Sequence, residues 1–200
     1  DVLGDVQRYR YDPFCRLERI EANALITTYS YDRQGALKSL HVTDTDTQHQ
    51  LRTDLDYDDF GREIRRTFTS SETPTRVVEQ TFTPADKLQR RTLRTEEAVL
   101  RDETYQYDKR GRLNRYACSG PQAPVDAWGK TIVSQFYEHD ELDNILTLTT
   151  HFIGGENITT FHYDYVDRTQ LSSVTHSHPD YSPQRIQFEY DADGNQRTDE

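Results

Sequence analysis

The chain has 200 residues, of which 33% are hydrophobic and 30% are charged, and its formal net charge is -11 at pH 7. This balance approaches that of disordered chains, but 13 tyrosines and 8 phenylalanines supply rings that bury an apolar face while a hydroxyl stays in water. The acidic balance and scattered basic residues argue against nucleic-acid binding, and no apolar run is long enough for a membrane span or secretory signal, so we expect a folded, β-rich chain that does not itself enter a membrane.

The cysteines and the chain ends give two further expectations. Cys15 and Cys118 are far apart in sequence and form no CxxC pair, which predicts two unpaired thiols rather than a zinc site or a disulfide framework. The chain contains no methionine, and residues 1–6 resemble the second half of a motif that recurs downstream. We therefore expect both ends to cut through a longer array.

A short pattern recurs along the chain: aromatic-x-Tyr-Asp-x-x-Gly-Arg/Asn-Leu. Degenerate copies keep the spacing and are anchored at Phe82, at His139 and, where Tyr163 competes, at Tyr165. The spacing of roughly 25 residues predicts a single array over residues 1–200 with about eight repeats. The motif residues of the clear copies are Tyr11 and Asp12; Tyr31, Asp32 and Gly35; Tyr57, Asp58 and Gly61; Tyr107, Asp108 and Gly111; and Tyr190, Asp191 and Gly194.

Each residue type of the pattern has a mechanical role in a β-hairpin. Alternation of aromatic and polar residues before the aspartate predicts a strand with one aromatic face. The aspartate opens a type I turn by accepting from backbone N–H groups, and the glycine takes the left-handed conformation that follows. Asp86 and Asp143 are acceptable substitutes for that glycine, whereas Cys15 does not fit. Helical periodicity is weak throughout, so few helices are expected.

Two segments interrupt the pattern, at residues 117–124 and 176–183, and both are predicted to be surface loops because they are rich in proline, glycine and serine. Neither is a convincing domain linker, since the repeat resumes in phase after each. The fold class predicted is all-β: tandem antiparallel hairpins that form one continuous sheet.

These Tyr-Asp motifs resemble the RHS/YD-repeat family, and the resemblance covers essentially the whole chain. The family includes bacterial polymorphic toxins such as type VI secretion effectors, shell components of insecticidal toxin complexes, and teneurins. The resemblance implies a spiralling sheet that forms part of a hollow cocoon around a toxic C-terminal domain. It also implies three partners: the remainder of the same shell, the enclosed toxin domain, and a secretion or translocation apparatus that delivers the protein outside the cell. The family's closing core and a toxin domain have no counterpart in this sequence.

Sharper chemical hypotheses find less support in the sequence. His176, His178 and Asp180 alternate like metal ligands, but a polar loop accounts for them better. The turn aspartates lack the regular spacing of a calcium loop, and no Gly-x-Ser-x-Gly nucleophile motif is present. We therefore expect no catalytic, cofactor-binding or metal-binding residues. The alternative function is a carbohydrate- or cell-surface-binding module that uses exposed aromatic residues such as Tyr105 and Tyr107.

Overall fold

The structure is a computed structural model that describes residues 6–199, with the side chains of residues 6–197. The motif fragment expected at residues 1–5 lies outside the described residues. The described part is all-β, with sixteen strands and no helix. The strands are β1 (Gln7–Tyr11), β2 (Leu17–Ala22), β3 (Leu25–Tyr31), β4 (Leu37–Asp44), β5 (Gln50–Tyr57), β6 (Glu63–Ser70), β7 (Arg76–Phe82), β8 (Leu88–Arg94), β9 (Val99–Tyr107), β10 (Leu113–Ser119), β11 (Ile132–His139), β12 (Ile145–Phe152), β13 (Gly155–Tyr163), β14 (Leu171–His176), β15 (Arg185–Tyr190) and β16 (Gln196–Asp199).

The chain divides into two compact units, Asp1–Leu100 and Arg101–Glu200. Within the first, β1 to β8 pair consecutively and antiparallel, and within the second the same holds from β9 to β16. Sixteen described strands therefore make eight hairpins, and the predicted all-β class with tandem antiparallel hairpins is confirmed. No helix of the described residues is long and apolar enough to cross a membrane.

The hairpin of β3 and β4 shows how the strands sort their side chains. Tyr29 pairs with Leu40, while Ser30 pairs with Ser39 and the two hydroxyl oxygens lie 2.7 Å apart. Because successive residues point to opposite faces, one face of the hairpin is apolar and aromatic and the other is polar. In the second unit the apolar side includes a buried cluster of Tyr116, Cys118 and Ile132. Both Cys15 and Cys118 are free thiols.

A register shift lies directly before the anchor residue in all eight described hairpins. Such an irregularity lets one strand carry an extra residue and increases the local twist. The residues after the shift are Tyr11, Tyr31, Tyr57, Phe82, Tyr107, His139, Tyr163 and Tyr190.

The shift before Tyr163 corrects one of the predicted anchors. Tyr163 ends β13, whereas Tyr165 lies in the turn and its surface is 95% exposed. The anchor at Tyr165 is therefore wrong, because the turn after Tyr163 is two residues longer than the standard one and β14 starts only at Leu171.

The two predicted loops also need adjustment. Strand β10 continues to Ser119 and β14 continues to His176, so each loop starts later than expected. Beyond Ser119 the chain is not irregular throughout, because Val125 and Thr131 form an antiparallel bridge that closes a small extra hairpin.

Candidate functional site: the hairpin turns and the loop cluster

The turn after each Tyr-Asp pair is held by the aspartate. Asp58 Oδ1 accepts from the backbone N–H groups of Phe60 and Arg62, both at 3.0 Å, and the Gly61 N–H donates to the Asp58 carbonyl at 3.0 Å. The second carboxylate oxygen accepts from Arg62 Nε at 2.7 Å. One side chain thus satisfies two backbone donors and orients a guanidinium. The Oδ1 pattern recurs at Asp12, Asp32, Asp108, Asp140 and Asp191.

The fourth residue of these turns, counted from the aspartate, takes the left-handed conformation. Gly61 has φ 76° and Asp143 has φ 69°. Cys15, which the sequence rule did not accommodate, has φ 60° and takes the same conformation. The hydrogen bonds of Asp12 fix this five-residue turn, so the residue at position 15 must take the left-handed conformation whatever its side chain. Cys15 is therefore strained in a way that glycine is not.

The same contacts set the charge of the turn carboxylates. The backbone N–H of Arg112 and then its guanidinium stabilise the ionised form of Asp108 and lower its pKa to about 2. At Asp58 the guanidinium of Arg62 is the main cause of a lowered pKa. These carboxylates are therefore charged at neutral pH and already committed to turn donors, as structural groups are.

At several junctions the motif tyrosine connects its hairpin to the one before it. Tyr57 donates its hydroxyl proton to the carbonyl oxygen of Leu37 at 2.9 Å. Leu37 is the first residue of the second strand of the preceding hairpin. The same relationship joins Tyr31 to Leu17, Tyr163 to Ile145 and Tyr190 to Leu171, at 2.8 to 2.9 Å. The sequence signal for this bond was the choice of tyrosine over phenylalanine at the anchor, and sequence reasoning assigned the ring only to a strand face.

In the hairpins of Arg62 and Arg112, the arginine that follows the glycine contacts the next hairpin. Arg62 reaches Asp86 Oδ1 at 2.5 Å, and its guanidinium lies 4.8 Å from the ring centre of Phe82. Arg112 reaches the Asp140 carbonyl at 2.8 Å and Asp143 Oδ1 at 2.7 Å. The tyrosine thus contacts the preceding hairpin and the arginine contacts the following one. Together these contacts join neighbouring hairpins near their turns.

Each copy of the motif lies at the turn of one hairpin. The predicted motif residues are therefore spread along the sheet and do not form a single site. Tyr105, one of the aromatic residues considered for sugar binding, packs on Tyr116 with ring centres 5.4 Å apart.

The loop residues His176, His178 and Asp180 point to different neighbours. The ring of His176 packs edge-on to Trp128, with centres 4.9 Å apart. His178 packs on Phe152, and Asp180 forms an ion pair with Lys130 at 2.5 Å. Within residues 6–199 no group of three or more histidine, cysteine, aspartate or glutamate side chains could hold a metal ion.

Sequence reasoning missed the turn that supplies Trp128. Asp126 Oδ1 accepts from the backbone N–H groups of Trp128 and Lys130, both at 2.9 Å, and Gly129 has φ 74°. This is the Tyr-Asp turn without its tyrosine, and the signal was the run Asp-x-x-Gly-Lys in residues 126–130. The motif aspartate therefore recurs at the opposite ends of the strands, between β10 and β11.

That extra turn packs against the loop after β14 in what we call the loop cluster: Asp126, Trp128, Asn157, His176 and Tyr181. Tyr181 is 2% exposed and Asn157 is 0% exposed. The Tyr181 hydroxyl donates to Asp126 Oδ2, and Trp128 Nε1 donates to the Ser182 carbonyl at 3.2 Å. Burial and the hydrogen bond to Asp126 raise the pKa of Tyr181. The cluster joins two loops that are about 50 residues apart in sequence.

Comparisons with known proteins bear on the fold. No family model matches the sequence, and no curated protein matches it. Among solved structures, the crystal structure of TcdB2-TccC3 without its hypervariable C-terminal region matches 96% of this chain with a TM-score of 0.73 and 16% identity. A structure of the Photorhabdus luminescens Tc holotoxin pore with the mutation TccC3-D651A matches 92% of this chain with a TM-score of 0.70 and 18% identity.

The chain spans about a tenth of the length of either of these structures' chains, at 10% in both cases. At such identities the likeness concerns the backbone, and it agrees with the resemblance to the RHS/YD-repeat family that the Tyr-Asp motifs carry. The chain has the antiparallel hairpin fold that is found within the chains of Tc toxin complexes.

Proposed function

We propose that this chain is a section of the wall of an RHS-type toxin shell, formed by a single array of hairpins over residues 1–200. The observation that carries this proposal is the bond from a motif tyrosine to the preceding hairpin, which joins Tyr57 to Leu37 and recurs at Tyr31, Tyr163 and Tyr190. Arg62 and Arg112 add contacts to the following hairpin. The motif side chains therefore join neighbouring hairpins edge to edge. A repeat whose polar groups are used in this way is suited to building an extended sheet.

The exposure of the motif tyrosines agrees with this use of their hydroxyl groups. Tyr31 and Tyr57, which bind the carbonyl of a preceding hairpin, are half-buried. Tyr11, for which the described residues provide no such carbonyl, is 61% exposed.

In this proposal the wall encloses a toxic domain of the same polypeptide until delivery, with no catalytic activity of its own. Its partners are the remaining shell, the enclosed domain and a secretion or translocation apparatus, and its destination is extracellular. The aromatic face can shield an incompletely folded cargo, because rings with wet hydroxyl groups tolerate both apolar and polar contacts. The fold likeness to chains of Tc toxin complexes supports this role.

Limited proteolysis of the full-length polypeptide tests the proposal at neutral pH. We expect its C-terminal domain to resist cleavage, and to become sensitive when two tyrosine bonds are removed together by Tyr57→Phe and Tyr163→Phe. A matched variant, Tyr165→Phe, changes an exposed tyrosine and is expected to retain protection. A C-terminal domain that is fully accessible in the wild type contradicts enclosure.

A groove in the second unit favours the second candidate function, a carbohydrate-binding module. The groove has a volume of about 620 Å³ and includes Phe161, Tyr163 and Tyr165 among its lining residues. Exposed rings stack on sugars, and Tyr165 is the most exposed of the three. Glycan-array binding that is lost in Tyr165→Ala supports this function. Binding that survives the substitution rules out this groove as the site, and no binding at all contradicts the function.

A further inference from the structure

His176 lies inside the loop cluster with one nitrogen fully engaged and the other buried without a partner. Its Nδ1 lies 3.1 Å from Thr159 Oγ1 and 3.3 Å from Asn157 Nδ2. Its Nε2 is buried and has no hydrogen-bond partner. The rings of Trp128 and Tyr181 lie beside it, with centres 4.9 and 5.5 Å away.

The neighbours of Nδ1 require it to be an acceptor. Asn157 Oδ1 accepts from the backbone N–H groups of Ser177 and His178 at 3.1 and 3.0 Å, so the amide cannot turn over. Its Nδ2 group therefore faces His176, and it also donates to Thr159 Oγ1 at 3.0 Å. The Thr159 oxygen accepts this proton and donates its own to Nδ1. Nδ1 of the neutral ring thus carries a lone pair, and the ring proton is on Nε2.

A second proton on His176 breaks this arrangement. It places an N–H at Nδ1 against the fixed amide donor of Asn157 and forces Thr159 to turn its hydroxyl away. It also leaves a positive charge among rings, where the Nε2–H that is already unpaired in the neutral ring offers that charge no acceptor, which is costly in a low-dielectric site. We propose that His176 is a pH-sensitive latch, which keeps the loops at residues 120–131 and 177–184 joined at neutral pH and releases them in acid.

The charged groups around the latch do not compensate for that proton. On the first loop, Asp126 is engaged by the Tyr181 hydroxyl, and Lys130 is paired with Asp180 of the second loop. His178 of the second loop lies between the rings of Phe152 and Tyr181. On β13 the residues facing His176 are Asn157 and Thr159, which are neutral.

The direction of the pH effect follows from the burial of the ring. Burial lowers the pKa of His176 below its ordinary value. A histidine with a lowered pKa in the closed state binds a proton more readily in the open state, so the closed state loses stability as the pH falls below about 6.5. Opening then increases by up to about tenfold per pH unit, until the pH reaches the pKa of the closed state.

Trp128 reports on the latch directly, because it is the single tryptophan of the chain and contacts His176. We would follow its fluorescence, and proteolysis within the two loops, from about pH 7.5 to about pH 5, a range that spans the ordinary histidine pKa. The wild type is expected to show increasing cleavage and a changed Trp128 signal in acid. His176→Gln removes the titrating group and is expected to flatten both curves. His162→Gln, at an exposed histidine that contacts Thr175, is expected to match the wild type.

Three results overturn the latch: no pH dependence in the wild type, an unchanged pH dependence in His176→Gln, or the same flattening in His162→Gln. Should His176→Gln fail to fold, an NMR titration of the wild-type histidines decides, since a His176 pKa at or above the ordinary value contradicts the inference. The latch acts within this chain alone. Its failure is therefore distinct from a failure of enclosure, which is measured on the full-length polypeptide at neutral pH.

Discussion

Tyr57 and Leu37 are 20 residues apart and belong to different hairpins, yet the hydroxyl of one lies 2.9 Å from the carbonyl oxygen of the other. Leu37 begins β4 directly after a turn, where the strand ladder is interrupted by the register shift before Tyr31. Where this bond forms, the tyrosine thus donates to the carbonyl of the first residue of the preceding hairpin's second strand. This relationship explains why the anchor is a tyrosine in most copies.

Replacing Tyr57 by phenylalanine should therefore destabilise the first unit by about 1 kcal/mol, the usual net worth of such a hydrogen bond. Urea unfolding of the variant measures this loss. Tyr165→Phe is the control, because its side chain is 95% exposed in a turn and should leave the free energy of unfolding unchanged. Equal effects of the two substitutions would contradict the role of the hydroxyl.

The sequence predicted the turns well because their interactions are local. Asp58 contacts only residues 60 and 62 through its backbone-directed oxygen, and such short spacings are visible as a pattern. The tyrosine bond was not predicted, since its acceptor is a main-chain carbonyl whose position depends on strand register. The choice between Tyr163 and Tyr165 failed for the same reason. Both fit an alternating pattern, and only the pairing of β13 with β14 distinguishes them.

The loop cluster could not be predicted either, because it depends on contacts between distant segments. Tyr181 and Asp126 are 55 residues apart and have no common motif. The proline and serine residues of the segment at 176–183 predicted an exposed loop, whereas Tyr181 is 2% exposed. Composition describes the tendency of a backbone to turn, and it does not reveal which two loops will pack together.

The left-handed residue of the first turn gives a stabilising substitution. Cys15 has φ 60° and is exposed, so Cys15→Gly should relieve strain and raise the free energy of unfolding by up to about 1 kcal/mol. Cys15→Ala keeps the strain and should have little effect. In the opposite direction, Gly61→Ala at φ 76° should destabilise by about 1 kcal/mol. Thermal or urea unfolding of the three variants measures their relative stabilities. A Cys15→Gly variant that is no more stable than Cys15→Ala would show that the backbone at position 15 is not strained.

The turn carboxylates predict how stability changes in acid. The backbone N–H and guanidinium of Arg112 lower the pKa of Asp108 to about 2. A carboxylate with a lowered folded-state pKa contributes stability above its ordinary pKa near 4, and that contribution is lost as the pH falls toward 2. Asp108→Asn should therefore reduce stability at neutral pH and flatten its decline over this range. Urea unfolding at a series of pH values measures the slope, and the exposed Asp193→Asn is the control. An unchanged slope in Asp108→Asn would show that other carboxylates dominate acid unfolding.

The forward contact of the motif arginine can be isolated by a double-mutant cycle on Arg112 and Asp143. Arg112 Nη1 lies 2.7 Å from Asp143 Oδ1, and the two side chains are 22% and 53% exposed. A pair with this exposure is screened by water, so a coupling energy of about 0.2 to 1 kcal/mol is expected. The equivalent pair in the first unit, Arg62 and Asp86, has an aspartate that is 76% exposed and should give a smaller coupling.

Arg112→Ala alone should cost more than the coupling energy, because the same guanidinium also contacts Asp108 and the Asp140 carbonyl. Arg112→Lys retains the charge but cannot serve these acceptors together, since one ammonium group lacks the planar fork of donors. It should therefore recover only part of the loss. Full recovery by lysine would mean that charge alone joins the hairpins, and that the geometry of the arginine is dispensable to the wall.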